Sequence, residues 1–94
     1  MSRQRKWEVI QQAKTVTIGE LVRLTDVRYS TLKYYTEEGM LPFHQAEENL
    51  TRRYDRESSV RRIQRIKALR GEGKSIPQIK ALLQAEDAAK KPDP

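Results

Sequence analysis

The chain has 94 residues, a net charge of +6, a pI near 9.8 and no cysteine. That length suits one small domain, which buries only about 60–65% of the surface its unfolded chain exposes. The missing thiols exclude disulfides and thiolate metal sites, and a single histidine, His44, cannot assemble a metal centre, so no metal or cofactor is expected.

Residues Ser2 to Lys14 are basic and polar, with Trp7, Val9 and Ile10 as their only large apolar groups. They read as a short helix docked by Trp7 or as a frayed arm, and a terminus defaults to the second. The opening MSRQRKWEVI has no signal-peptide core, and no apolar run nears the roughly 20 residues that span a bilayer. The expectation is a cytoplasmic protein with no membrane partner.

Thr17 and Glu20 have the spacing of a capping box, in which side chain and backbone exchange hydrogen bonds, so a helix is predicted to start there with Ile18, Leu21, Val22 and Leu24 as its apolar face. Asp26 then interrupts the pattern, a residue that tolerates left-handed backbone angles. A second helix is predicted from about Tyr29 to Glu38, with Leu32 and Tyr35 facing inward and Gly39 as its stop. Two short helices joined by so brief a turn make a helix-turn-helix. The second carries Arg28, Tyr29, Ser30, Lys33 and Tyr34 on its polar side, a concentration of donors suited to a polar partner.

Pro42 to Thr51 lacks a helical apolar period and reads as a projecting loop or hairpin. Asp55 is expected to start a third helix with Val60, Ile63, Ile66 and Leu69 toward the core, which GEG at Gly71–Gly73 ends. Ser75 and Gln78 form a second capping box, Pro77 falls in the tolerated first turn, and Ile76, Ile79, Leu82 and Leu83 supply the last apolar stripe. From Gln84 the chain is polar, and a frayed tail is expected.

Charge is unevenly spread. Arg52 to Lys80 holds ten basic and three acidic residues, whereas Thr15 to Thr51 holds three basic and six acidic. A basic stripe is the footprint expected for phosphate contacts. No carboxylate pair, nucleophile with its base, or phosphate-cradling glycine loop is present, so an enzyme is not expected.

Taken together, TIGELVRLTDVRYSTLKYYTEEGML, NLTRRYD and GKSIPQIKALL resemble, in order, the N-terminal DNA-binding domain of the MerR family of bacterial transcription regulators. The resemblance implies an all-α fold with a small β wing, a winged helix-turn-helix of four core helices, with residues 15–83 as the domain, 1–14 as a basic extension and 84–94 as a tail. It further implies double-stranded DNA as partner, the second helix in the major groove and the wing, about residues 42–54, on the flanking backbone. The residues expected to touch DNA are then Arg28, Tyr29, Ser30, Lys33, Tyr34, Arg52 and Arg53, the last two matching the family's wing.

Other groups carry plainer expectations. Tyr35 and Tyr54 are expected to pack, His44 to be an ordinary loop residue, and Trp7 to be a docking anchor rather than a base-stacking group. Arg61, Arg62 and Arg65 read equally as a solvated face or as phosphate contacts. Asp26 and Leu50 stand where the family usually has glycine, and Arg28 replaces its serine or threonine cap. Typical members continue into a dimerising helix and an effector domain, whereas this chain offers Gln84 to Pro94, so no small-molecule effector site is evident. A truncated chain and a naturally minimal protein both fit. The leading expectation is a nucleoid-associated transcription regulator, with RNA polymerase or further copies on DNA as added partners, and the alternative is an architectural factor, excisionase-like or for DNA segregation, that assembles along DNA.

Overall fold

A computed structural model describes residues 5–48 and 50–90. The elements run α1 (Trp7–Gln12), β1 (Thr15–Val16), α2 (Ile18–Thr25), α3 (Tyr29–Glu37), β2 (Tyr54–Asp55), α4 (Arg56–Gly71) and α5 (Ile76–Lys90). The chain divides into two compact units, residues 1–63 and 64–94.

In the first unit each helix boundary has a local cause. The amide of Glu20 donates to Thr17 Oγ1 at 3.2 Å and the amide of Thr17 donates to Glu20 Oε1 at 2.9 Å, which completes the predicted capping box of α2. Asp26 ends α2 at φ 57° and ψ 32°, so an aspartate adopts the left-handed conformation that glycine would otherwise supply. α3 starts at Arg28 with no side-chain cap. It closes in a Schellman motif: the amide of Gly39 donates to the Thr36 carbonyl at 3.1 Å and that of Met40 to the Tyr35 carbonyl at 2.9 Å. The motif needs φ of +75° at Gly39, where any side chain would be strained.

β1 and β2 pair antiparallel, Thr15 opposite Asp55 and Val16 opposite Tyr54. The core of this unit includes Val16 and Tyr54 of this ladder with Ile10, Leu21, Leu32, Leu41 and Ile63, all essentially inaccessible to solvent. Arg56 reinforces it, donating from Nε to the Ala13 carbonyl at 2.7 Å and from its amide to the Lys14 carbonyl at 3.0 Å. Asp55 caps α4 as expected, accepting from the amide and hydroxyl of Ser58, and these bonds hold its carboxyl below the usual range.

Two expectations need correction. The N-terminal segment is a helix rather than a frayed arm, and its anchor is Ile10, fully buried, rather than Trp7, which is 39% exposed beneath the Arg23 guanidinium. Arg5 adds a second tether, donating from Nε and Nη2 to the two Glu20 oxygens at 2.7 Å each and from Nη2 to the Thr15 carbonyl at 3.0 Å. A fifth helix therefore precedes the expected four. Residues 1–4 of the predicted extension lie outside the described residues.

The second unit comprises the end of α4 and α5, with Ile66, Leu69, Ile79 and Leu83 buried. Gly73, at φ 90°, closes α4 as Gly39 closes α3, with Lys74 donating to the Leu69 carbonyl. Ser75 and Gln78 form the predicted cap, the Ser75 amide donating to Gln78 Oε1 at 2.9 Å and the Gln78 amide to Ser75 Oγ at 3.3 Å. The expected fraying from Gln84 is the second correction, since α5 continues to Lys90. Three alanines favour the helix there, and Glu86 accepts from Arg65 Nη2 at 2.7 Å. Residues 91–94 lie outside the described residues.

The bidentate Arg5 contact, followed by the Thr17 amide, holds the Glu20 carboxyl down to about 2 against the opposing effect of burial. An unfolded chain carries this group near 4.3, so between these values the unfolded state binds more protons. The stabilisation from this contact is present above about pH 4.5 and is lost as pH falls toward 2. Thermal melts across that window should show a steeper acid loss for the wild type than for Glu20→Gln; parallel curves would contradict the assignment.

Candidate nucleic-acid interface

α3 has two chemically distinct sides. Leu32, Tyr35 and Thr36 are buried, while Tyr29, Ser30, Lys33, Tyr34 and Glu37 are exposed, together with Arg28 just before the first turn. Residues three and four apart share a helix face, so Tyr29 with Lys33, Ser30 with Tyr34, and Lys33 with Glu37 line one outward strip. Tyr29 is 55% exposed and Tyr34 45%, whereas Tyr35 is 5% exposed and belongs to the core, as its helical phase requires.

The predicted wing is a loop drawn together by one backbone bridge. His44 and Arg53 exchange amide-to-carbonyl hydrogen bonds, each of 2.7 Å. His44 thus serves through its backbone. Nearer the tip, the Gln45 side-chain amide donates to the carbonyls of Glu48 and Leu50, which shapes a turn around exposed Glu47, Glu48 and Leu50. No glycine is needed at position 50.

Two contacts join this wing to the last turn of α3, and ring packing within the wing supports both. Tyr54 is fully buried, and its hydroxyl lies 3.0 Å from Thr36 Oγ1. Thr36 donates its proton to the Leu32 carbonyl at 2.9 Å, so Tyr54 is the donor of the pair. Phe43 packs its ring 6.1 Å from that of Tyr54. Arg52 lies over Phe43, 4.6 Å from the ring centroid, and donates to Glu37 Oε1 at 3.2 Å.

Of the seven residues singled out from sequence, five are therefore gathered at the start and outer side of α3, and Arg52 meets the opposite end of the same helix through Glu37. Arg53 is exposed beside it and contributes to the field at Glu20. Glu37 and Phe43, the partners of Arg52, were not anticipated, because no local spacing links either to Arg52, Glu37 being 15 positions away. Among the basic residues of α4, Arg65 is engaged with Glu86, while Arg61 is exposed and Arg62 half-buried. No group of three metal-ligating side chains occurs among the described residues, and no helix there is long and apolar enough to cross a membrane.

Residues 16–86 match the family described as MerR HTH family regulatory protein. The chain belongs to the MerR family. Family membership makes it a helix-turn-helix protein of a DNA-binding, transcription-regulating class. It is similar to the nodulation protein NolA of Bradyrhizobium elkanii, with 35% identity over 82 residues. That match covers 87% of this chain and 33% of NolA, so the chain spans about a third of its relative's length. No solved structure matches it significantly. α1 lies before the matched residues and is secured by Ile10, Arg5 and Arg23.

Replacing Tyr54 by phenylalanine deletes one buried hydrogen bond without changing the ring. The expected loss is about 0.5–1.5 kcal/mol, or roughly 4–8 °C in melting temperature per kcal/mol for a domain of this size. An unchanged melting temperature would mean that the hydroxyl pair does not help fix wing to helix.

Proposed function

We propose that this MerR domain is a sequence-specific regulator of transcription that seats α3 in the major groove of double-stranded DNA and lays the wing, residues 42–54, along the flanking backbone. The outward strip of α3 carries the reading: a helix buried on one side presents Arg28, Tyr29, Ser30, Lys33 and Tyr34 on the other. A B-form major groove admits one α-helix, and base edges offer acceptors to arginine, lysine and serine. Arg28, Ser30 and Lys33 have the donors for bases. Tyr29 and Tyr34 bring hydroxyls, and Arg52 and Arg53 bring guanidinium groups, for phosphate oxygens.

A second copy bound nearby is part of the proposal. One module of this size buries about 600–1,000 Å² on DNA, so a neighbouring protomer or RNA polymerase adds the contact area that stable occupancy needs. The expected place of action is the nucleoid. Titration onto duplexes of increasing length distinguishes a regulator, which stops at one or two copies per site, from an architectural factor, whose stoichiometry rises with length.

The test pairs selection from random duplexes with binding at several salt concentrations. Each phosphate neutralised should add about 0.9 to the slope of log affinity against log salt, and a flat slope would remove the DNA reading. Lys33→Ala and Arg28→Ala should alter the selected sequence and cost about 1–3 kcal/mol per lost base contact. Arg52→Ala and Arg53→Ala should weaken every sequence alike. Wing variants that changed preference while α3 variants did not would reverse the docking.

A further inference from the structure

We propose that Glu37 sets the DNA affinity of this interface by competing with phosphate for Arg52; the inference rests on the backbone role proposed above for the wing. Glu37 is the last residue of α3, next to Glu38 and at the helix end where the backbone dipole already carries negative character. Its carboxylate takes its hydrogen bond from Arg52 Nη1, at 3.2 Å. Arg52 is meanwhile supported from one side by the Phe43 ring. The guanidinium thus rests on an aromatic face and gives one N–H to a carboxylate.

Carboxylate and phosphate oxygens accept from the same guanidinium fork in the same way. In the free protein Glu37 therefore holds a donor that a DNA phosphate would use. The exchange is open to solvent, since the side chains of Arg52 and Glu37 are 37% and 52% exposed. Exposed ion pairs of this kind are weak, so the pair does not lock the wing; it attenuates. A phosphate that takes the Nη1 hydrogen bond of Arg52 displaces Glu37, and one held by the other N–H groups still has that carboxylate within a Debye length, about 8 Å at physiological salt, of a polyanion. Both effects oppose binding without reference to sequence, so Glu37 lowers the backbone contribution while the base contacts of α3 keep theirs.

The test is a double-mutant cycle in the full chain, using dissociation constants for one duplex recovered by selection: wild type, Glu37→Gln, Arg52→Ala and the double variant. Glu37→Gln keeps the side chain's size and removes its charge. It should tighten binding about two- to fivefold when Arg52 is present, and clearly less in the Arg52→Ala background. Equal tightening in both backgrounds would overturn the proposal in favour of simple charge removal. Weakening by Glu37→Gln would also overturn it, and would make the carboxylate a positioning partner instead. Failure of the wild type to bind duplex DNA at low salt would overturn the functional reading itself, which is distinct from either of those results.

Discussion

Tyr54 is where the parts of the first unit meet. Its backbone pairs with Val16 in the two-stranded sheet, its ring lies near Phe43 of the wing, and its hydroxyl reaches Thr36 in the last turn of α3. The residue is inaccessible to solvent, so its phenol must have a partner, and the Thr36 hydroxyl, already committed as a donor to Leu32, can only accept. One side chain thereby ties the wing to the helix beside it. With the exposed Arg52–Glu37 pair, that tie holds the two wing arginines near the end of α3.

The division of α3 into two faces follows from the same burial. Leu32, Tyr35 and Thr36 fix its rotation about its own axis, so the outward residues have no freedom to turn inward. The Schellman turn at Gly39 then sends Met40 and Leu41 directly into the core, which shortens the helix to nine residues and brings the chain back toward the wing. At its other end, Asp26 permits the tight approach of α2, and the absence of a side-chain cap leaves Arg28 exposed at the first turn. A helix start without such a cap costs about 1 kcal/mol relative to a capped one.

What was legible in the sequence is what local spacing encodes. Thr17 with Glu20 and Ser75 with Gln78 lie three apart, and Asp26, Gly39 and Gly73 announce left-handed backbone by their residue type. Core phases of Leu32, Tyr35, Ile63, Ile66 and Leu69 follow from helical period. Contacts between distant residues were not legible: Arg5 with Glu20, Arg52 with Glu37, Arg65 with Glu86, and the pairing of Thr15 with Asp55. The misread ends share this cause. Residues 7–12 look like an arm until Ile10 has a core to enter, and residues 84–90 look like a tail until Glu86 has Arg65. A large indole drew attention to Trp7, yet the smaller, branched Ile10 is the group buried.

The central claim is that DNA meets the exposed side of α3 and the wing, rather than the basic stripe of α4. Amide chemical shifts recorded while a selected duplex is added to labelled protein test this most directly. The account predicts the largest changes at residues 28–34 and 44–53, with α1 and α5 little affected. Changes concentrated on Arg61, Arg62, Lys67 and Arg70, with α3 silent, would contradict it.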